Sequence, residues 1–233
     1  MKNDNEIIRS WEMNAVEWSR IIEQQGIASR KFTNPAILNT VKEFDPENIL
    51  DLGCGEGWLT RALSHEQRKV MGVDASEALL EIARGKGDQD FYRLTYQEII
   101  EGVKITGAPF DAVVLNFCLY QKDEVPQLLK ALKTSLSITG HIFIQTLHPS
   151  FLLLNGLPYE DQWIGNSWKG LDGNFVQPHS WYARTLESWI NIFGDCAHEL
   201  VKLKEVVNEN KAPISGIFIL KKAGEIDNSS FIM

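Results

Sequence analysis

Ile49-Leu50-Asp51-Leu52-Gly53-Cys54-Gly55-Glu56-Gly57 begins with apolar residues and ends with glycine at every second position. Apolar residues running into such a stretch read as a buried strand that turns sharply, with glycine leaving backbone room for a ligand against the turn. Further on, Lys69 to Val73 reads as a second strand that ends on the acid of Val73-Asp74-Ala75-Ser76. In a right-handed βαβ unit the Asp74 carboxylate comes near the glycine turn, where it can accept from both hydroxyls of a ribose.

The glycine spacing separates two kinds of nucleotide-like ligand. A dinucleotide fingerprint places a third glycine where this chain has Trp58, so that a helix N-terminus can meet a pyrophosphate. An indole there obstructs the phosphates, and Asp51 just before the turn repels them while it can attract an ammonium group. The ligand that fits is a ribose and adenine carrying an amino acid.

Ile49 to Gly57 and Val70 to Ser76 resemble the first two motifs of class I S-adenosylmethionine-dependent methyltransferases. The resemblance extends from about residue 48 to 147, and more loosely to about residue 220. It implies an α/β, Rossmann-like fold: a mostly parallel, doubly wound sheet of about seven strands, the last antiparallel, with helices on both faces and a lid-like insertion. It also implies S-adenosylmethionine as cofactor, S-adenosylhomocysteine as product, and in-line methyl transfer to an oxygen or nitrogen of a small molecule. The cofactor would lie against Asp51, Gly53, Cys54, Gly55, Gly57, Asp74, Ala75 and Ser76. A binding protein without methylation activity, or a nicotinamide-dependent oxidoreductase, are the alternative readings, the second disfavoured by Trp58.

Composition agrees. The 233 residues suffice for one α/β domain, with 44% hydrophobic and 23% charged residues as in a soluble globule. The net charge of -8 leaves no basic excess for nucleic acid, which is not expected as a partner. Met1 to Glu6 is polar and no apolar run approaches a membrane span. Cys54, Cys118 and Cys196 are scattered without metal-ligand spacing, which suits a reducing cytoplasm and predicts no metal. A monomer or homodimer is expected.

The chain is read as one methyltransferase domain in four parts: an N-terminal helical cap over 1–45, a cofactor-binding core over 46–147, an aromatic lid or substrate-binding insertion over 148–184, and a closing helix with a terminal hairpin over 185–223. In the first part Ile7, Trp11, Ala15, Trp18 and Ile22 recur at helical spacing, with Glu12, Glu17, Arg20 and Glu23 on the surface. This helix either packs on the sheet or lies across the cofactor mouth, which would bring Trp18 to the substrate. Arg30, after Gly26 in an expected loop, can hold the methionyl carboxylate bidentately or be a solvated arginine.

Strands are expected near 48–52, 69–73, 90–94, 111–116 and 141–147, with helices between. A helix over 76–84 has Ser76 as its N-cap and Gly85 as its stop. Segments 200–207 and 214–220, joined by a linker too short for a crossover helix, form an antiparallel hairpin. The last residues, Glu225 to Met233, read as frayed.

Many members of the family carry an acid after the third strand for the adenine amine. Here Thr95-Tyr96 falls in that place, so the Thr95 hydroxyl and the Tyr96 amide become the adenine candidates, unless the segment is only a strand exit. Asn116 and Phe117, at the carboxyl edge of the fourth strand, line the cofactor, and this stretch lacks the prolines of enzymes that hold flipped bases.

The insertion holds Tyr159, Trp163, Trp168, Phe175, Trp181 and Tyr182 among glycines and prolines. Such loops are lids or binding walls, or else a structural layer or a subunit contact. His148 is placed to take a proton from an acceptor or to hydrogen-bond it, or is structural. Tyr182 and Arg184 resemble Tyr-x-Arg segments that line acceptor pockets in small-molecule members; otherwise Arg184 is a surface charge and Thr185 caps a helix over 185–194.

Overall fold

The computed structural model describes residues 2–65 and 68–224, so the expected fraying of Glu225 to Met233 lies outside the described residues. Two helices come first, α1 (Lys2–Glu23) and α2 (Arg30–Lys42), then β1 (Asn48–Leu52), α3 (Trp58–Leu63), β2 (Lys69–Asp74), α4 (Glu77–Lys86), β3 (Asp90–Arg93), α5 (Tyr96–Ile100) and β4 (Phe110–Asn116). There follow α6 (Glu124–Leu132), a short 3-10 turn, β5 (Leu136–Leu147), α7 (Phe151–Leu154), β6 (Gln162–Ile164), β7 (Trp181–Ala183), α8 (Leu186–Asp195), β8 (His198–Val207) and β9 (Pro213–Lys222).

Seven strands form one sheet in the order β3-β2-β1-β4-β5-β9-β8, and β9 is antiparallel to both of its neighbours while the others run parallel. The order reverses between β1 and β4, which opens a crevice at their carboxyl ends. Successive strand residues point to opposite faces, and both faces are covered. Leu50, Leu52, Val113 and Leu115 join one core with α6 and α8 residues such as Leu128 and Trp189. Ile49, Ala112 and Val114 join the other, with Ile37 and Val41 of α2 and Leu59 of α3. β6 and β7 pair separately as a two-stranded antiparallel ribbon within the insertion.

Three local expectations are corrected. Arg30 is not in a loop; it opens α2, a helix with no side-chain cap and with Pro35 inside it. Pro35 forfeits one main-chain bond, and burial of Thr33, Ile37, Thr40 and Val41 against the sheet offsets that loss. Helix α4 does not stop at Gly85 but runs to Lys86, with Gly87 after it. On α1 the buried face includes Ile21 rather than Ile22, together with Ser10, Asn14 and Ser19. The insertion satisfies the first two: Asn14 Nδ2 donates to the Val176 carbonyl at 2.7 Å, Val176 N donates to Asn14 Oδ1 at 2.8 Å, and Trp168 Nε1 donates to Ser10 Oγ at 3.0 Å; Ser19 Oγ instead accepts from Lys86 Nζ of α4 at 2.7 Å. The first helix and the insertion thus make one roof. No helix among the described residues is long and apolar enough to cross a membrane.

Candidate cofactor and acceptor site

The site begins at the turn leaving β1. Gly53, Gly55 and Gly57 all have positive φ, at 78°, 57° and 80°. They differ in what surrounds them. A Cβ on Gly55 would meet nothing within 4 Å, so this glycine keeps the open side of the turn. A Cβ on Gly57 would come within 2.7 Å of the Phe91 ring, so that glycine serves close packing. At Gly53 the crowding comes from Cys118 and the Tyr96 hydroxyl, which bring the ends of β4 and β3 onto the loop. The Cys54 side chain turns inward, 5% exposed, and joins Leu80, Ala83 and Phe91.

Asp74, the last residue of β2, lies across from this turn. Its Oδ2 accepts from Gly55 N and its Oδ1 from Ser76 N, both at 2.8 Å. Burial raises its pKa, and the amides of Ser76, Gly55 and Ala75 oppose the rise. Ser76 Oγ accepts from Leu79 N at 3.3 Å and so caps α4, as expected. The first turn of α4 has a second cap that the sequence reading left on the surface: Glu12 of α1 accepts from Glu77 N at 2.7 Å and from Ala78 N at 3.0 Å. The roof is therefore pinned at the Asp74 corner.

Asp51 faces the interior. It is 1% exposed, accepts from the Thr60 hydroxyl at 2.7 Å, and is pushed up to about 7 by burial. Its carboxyl is held inside the turn, behind the glycine that faces the open side.

Arg30 is brought to the glycine turn by α2. Its guanidinium lies 4.8 Å from the Trp58 ring centroid, and its buried Nη2 has no hydrogen-bond partner among the described residues. Burial lowers its pKa to about 10, against the pull of nearby Glu56. Glu56 is 1% exposed; its Oε2 pairs with Arg61 at 2.7 Å and Lys86 at 3.1 Å, while Oε1 has no partner among the described residues. A cation and a carboxylate, each with one unmatched polar atom, suit the carboxylate and ammonium of an amino acid. Asn116, at the end of β4, likewise has a buried Oδ1 without a partner among the described residues. These unmatched groups and the open side of Gly55 fit the expected cofactor.

Other candidates are placed differently. The Thr95 hydroxyl is engaged in a capping box: it accepts from Glu98 N at 3.2 Å, and Glu98 Oε2 accepts from Thr95 N and Oγ1 at 2.8 and 2.7 Å. It is not a free adenine acceptor. Tyr96 contributes its phenol, which donates to the Cys118 carbonyl at 3.2 Å. Phe117 has φ of 52° and donates its N–H to the Gln145 carbonyl at 2.8 Å, which directs the chain after β4 back across the sheet edge.

His148 does not offer a free nitrogen. Its Nδ1 lies 2.8 Å from Ser150 Oγ and 3.1 Å from Ser150 N, and Nε2 lies 2.8 Å from Glu205 Oε1. It pins the start of α7 to β8, a structural role. Arg184 is 4% exposed rather than a surface charge; its Nη2 donates to the carbonyls of Gln121 and Lys122 at 2.7 Å, and the guanidinium lies 4.9 Å from the Tyr182 ring and 5.1 Å from the Trp189 ring. Nη2 braces the loop after β4, while the buried Nε and Nη1 have no hydrogen-bond partner among the described residues. Tyr182 N donates to the Tyr120 carbonyl at 2.8 Å and joins the β6–β7 ribbon to that same loop.

Trp18 lies in an aromatic cluster under the roof, with its centroid 5.0 Å from Trp11 and 6.2 Å from Trp168. The cluster includes two residues that the sequence did not single out, Tyr120 and His179.

The sheet order and the acid-and-glycine corner define a class I S-adenosylmethionine-dependent methyltransferase. Residues 28–194 match the model of a family described as a methyltransferase domain, and the chain belongs to that family. It is 30% identical over 153 residues to a malonyl-[acyl-carrier protein] O-methyltransferase of Legionella pneumophila, covering 64% of this chain and 52% of that protein. Over 125 residues it is 28% identical to a ubiquinone biosynthesis O-methyltransferase of Coxiella burnetii, covering 51% and 52%. The chain thus spans about half the length of these curated relatives. In fold it is similar to a Burkholderia thailandensis 1,6-didemethyltoxoflavin-N1-methyltransferase solved with S-adenosylhomocysteine, with a TM-score of 0.68, 15% identity, and coverage of 96% and 90%.

Proposed function

We propose that this chain transfers the sulfonium methyl of S-adenosylmethionine to an oxygen, or a nitrogen, of a small-molecule acceptor. The observation that carries the reading is the Asp74 carboxylate held against Gly55 N at 2.8 Å, beside the one glycine of the turn with open space around it. The Trp58 indole at the first position of α3 stands where a dinucleotide's pyrophosphate would approach, which favours a nucleoside without phosphates at this corner. Arg30 and Glu56 take the amino-acid end, and Asn116 lines the edge of β4.

The cofactor supplies a methyl already activated by positive charge on sulfur. The chain's own contribution is alignment and exclusion of water, which can be worth about 7 to 11 kcal/mol. The roof of α1 and the insertion serves the second task. The relatives' names include O-methyltransferases of a malonyl-[acyl-carrier protein] and of ubiquinone biosynthesis, and an N-methyltransferase is among the similar folds, which supports a small acceptor group without choosing between oxygen and nitrogen. We read residues 1–233 as one methyltransferase unit acting in a reducing cytoplasm; the free thiols of Cys54, Cys118 and Cys196 support that setting.

Calorimetric titration with S-adenosylmethionine, S-adenosylhomocysteine and NADH tests the reading. Micromolar binding of the two sulfur ligands, with none of NADH, is expected; binding of NADH alone overturns it.

A further inference from the structure

His179 is a buried polar residue that the sheet-edge corner does not account for. It lies in the insertion, is 4% exposed, and neither ring nitrogen has a hydrogen-bond partner among the described residues. Its backbone is fixed by two bonds to Ser167: His179 N donates to Ser167 Oγ at 3.2 Å and Ser167 N donates to the His179 carbonyl at 3.0 Å. The imidazole is surrounded by flat rings, with centroids at 5.1 Å for Tyr120, 5.7 Å for Trp168 and 6.2 Å for Trp11. Burial lowers its pKa to about 4, so the ring is neutral at physiological pH, and burial is the sole cause of the shift.

Leaving a buried polar group unmatched costs about 1 to 3 kcal/mol, and an apolar side chain in this cluster would avoid that cost. The location gives the cost a purpose. Tyr120 belongs to the loop leaving β4, and its phenol donates to the Phe117 carbonyl just beyond the carboxyl end of that strand. Trp11 precedes Glu12, whose carboxylate caps α4 beside the same corner. His179 therefore hangs from the roof, one ring away from residues that border the cofactor corner.

We propose that His179 is the residue that hydrogen-bonds the methyl acceptor, and that the acceptor is a planar, uncharged molecule bearing a hydroxyl; this rests on the function proposed above. The flat faces of Trp11, Tyr120 and Trp168 suit a conjugated ring. A neutral imidazole nitrogen suits a hydroxyl proton, and the rings of Trp11, Tyr120 and Trp168 beside it suit an uncharged molecule. The contact would orient the acceptor oxygen toward the methyl while water is excluded.

The test uses the full chain saturated with S-adenosylhomocysteine and titrated with phenol, catechol and para-hydroxybenzyl alcohol, alongside His179→Phe and His179→Gln. At least one phenol is expected to bind the wild type. His179→Phe should weaken that binding about tenfold or more, with S-adenosylhomocysteine affinity unchanged and thermal stability equal or higher. His179→Gln, which keeps an acceptor, should retain part of the affinity and serves if the Phe variant does not fold. Phenol binding that is unchanged in both variants, or absent from the loaded wild type, overturns the proposal. Failure of S-adenosylhomocysteine itself to bind overturns the cofactor reading beneath it, and the two failures are separately visible.

Discussion

Glu12 and Glu77 are joined across two helices: the carboxylate of the first receives the backbone N–H of the second at 2.7 Å, at the positive end of α4 and next to Asp74. An acid at a helix N-terminus is stabilised by the unpaired amides there and by the helix dipole. Here the acid comes from a different helix, so one contact both caps α4 and holds the roof in place.

Removing that contact should therefore affect stability and binding together. Glu12→Ala is expected to lower stability by about 0.5 to 2 kcal/mol, the range for loss of a cap. S-adenosylhomocysteine affinity should fall as well, because α1 no longer holds the corner. Thermal melts with and without that ligand measure both effects; a variant that melts like the wild type in both conditions sinks the coupling.

Asp74→Ala should weaken S-adenosylmethionine binding about tenfold or more, since hydrogen bonds to a charged group are worth about 1.5 to 3 kcal/mol each. Calorimetry reads this directly. Unchanged affinity would remove the ribose from this corner.

Arg30→Met separates ligand binding from folding. The buried Nη2 has no partner among the described residues, so a methionine of similar length should leave the apo protein as stable or more so. Affinity for S-adenosylmethionine should drop, and affinity for adenosine, which lacks the amino-acid carboxylate, should stay the same. Equal losses for both ligands would show that Arg30 does not meet the carboxylate.

Asp51 gives a pH dependence with a defined sign. Burial raises its carboxyl from the ordinary 3.8 to about 7 in the folded protein. Between these values the folded state keeps the proton and the unfolded chain has lost it, so this group makes folding less favourable as pH rises through the window. Asp51→Asn removes the dependence, and the variant should gain more in Tm over the wild type at about pH 8 than at about pH 5. A gain that does not change with pH would place the ionisation elsewhere.

Much of this was readable in the sequence. The strands β1, β2 and β4 are buried on both faces and so appear as nearly unbroken apolar runs, and the carboxyl ends of β1 and β2 carry the glycines and acid that mark the corner. What was not readable depended on distant partners. Helix α2 has no cap and contains Pro35, so only its packing on the sheet makes it a helix. Ser10 and Asn14 look like surface residues until the insertion meets them. One miss was avoidable: Thr95-Tyr96-Gln97-Glu98 has the spacing of a capping box, which signals that the threonine hydroxyl is already engaged. His179 offered no signal, since an isolated histidine between proline and serine has no periodicity, and only the assembled aromatic cluster shows how it is buried.

The two-way bond between Asn14 and Val176 fastens chain segments 162 positions apart to each other rather than to the sheet. Because Glu12 on the same helix also holds the start of α4, the joined segments rest on the corner as one body. With the proposed function, the nucleoside is expected to bind first and the acceptor second, and the methylated product to leave before the spent thioether. Methylated product that inhibits noncompetitively against both substrates is the expected signature; competition between product and acceptor would show a random order.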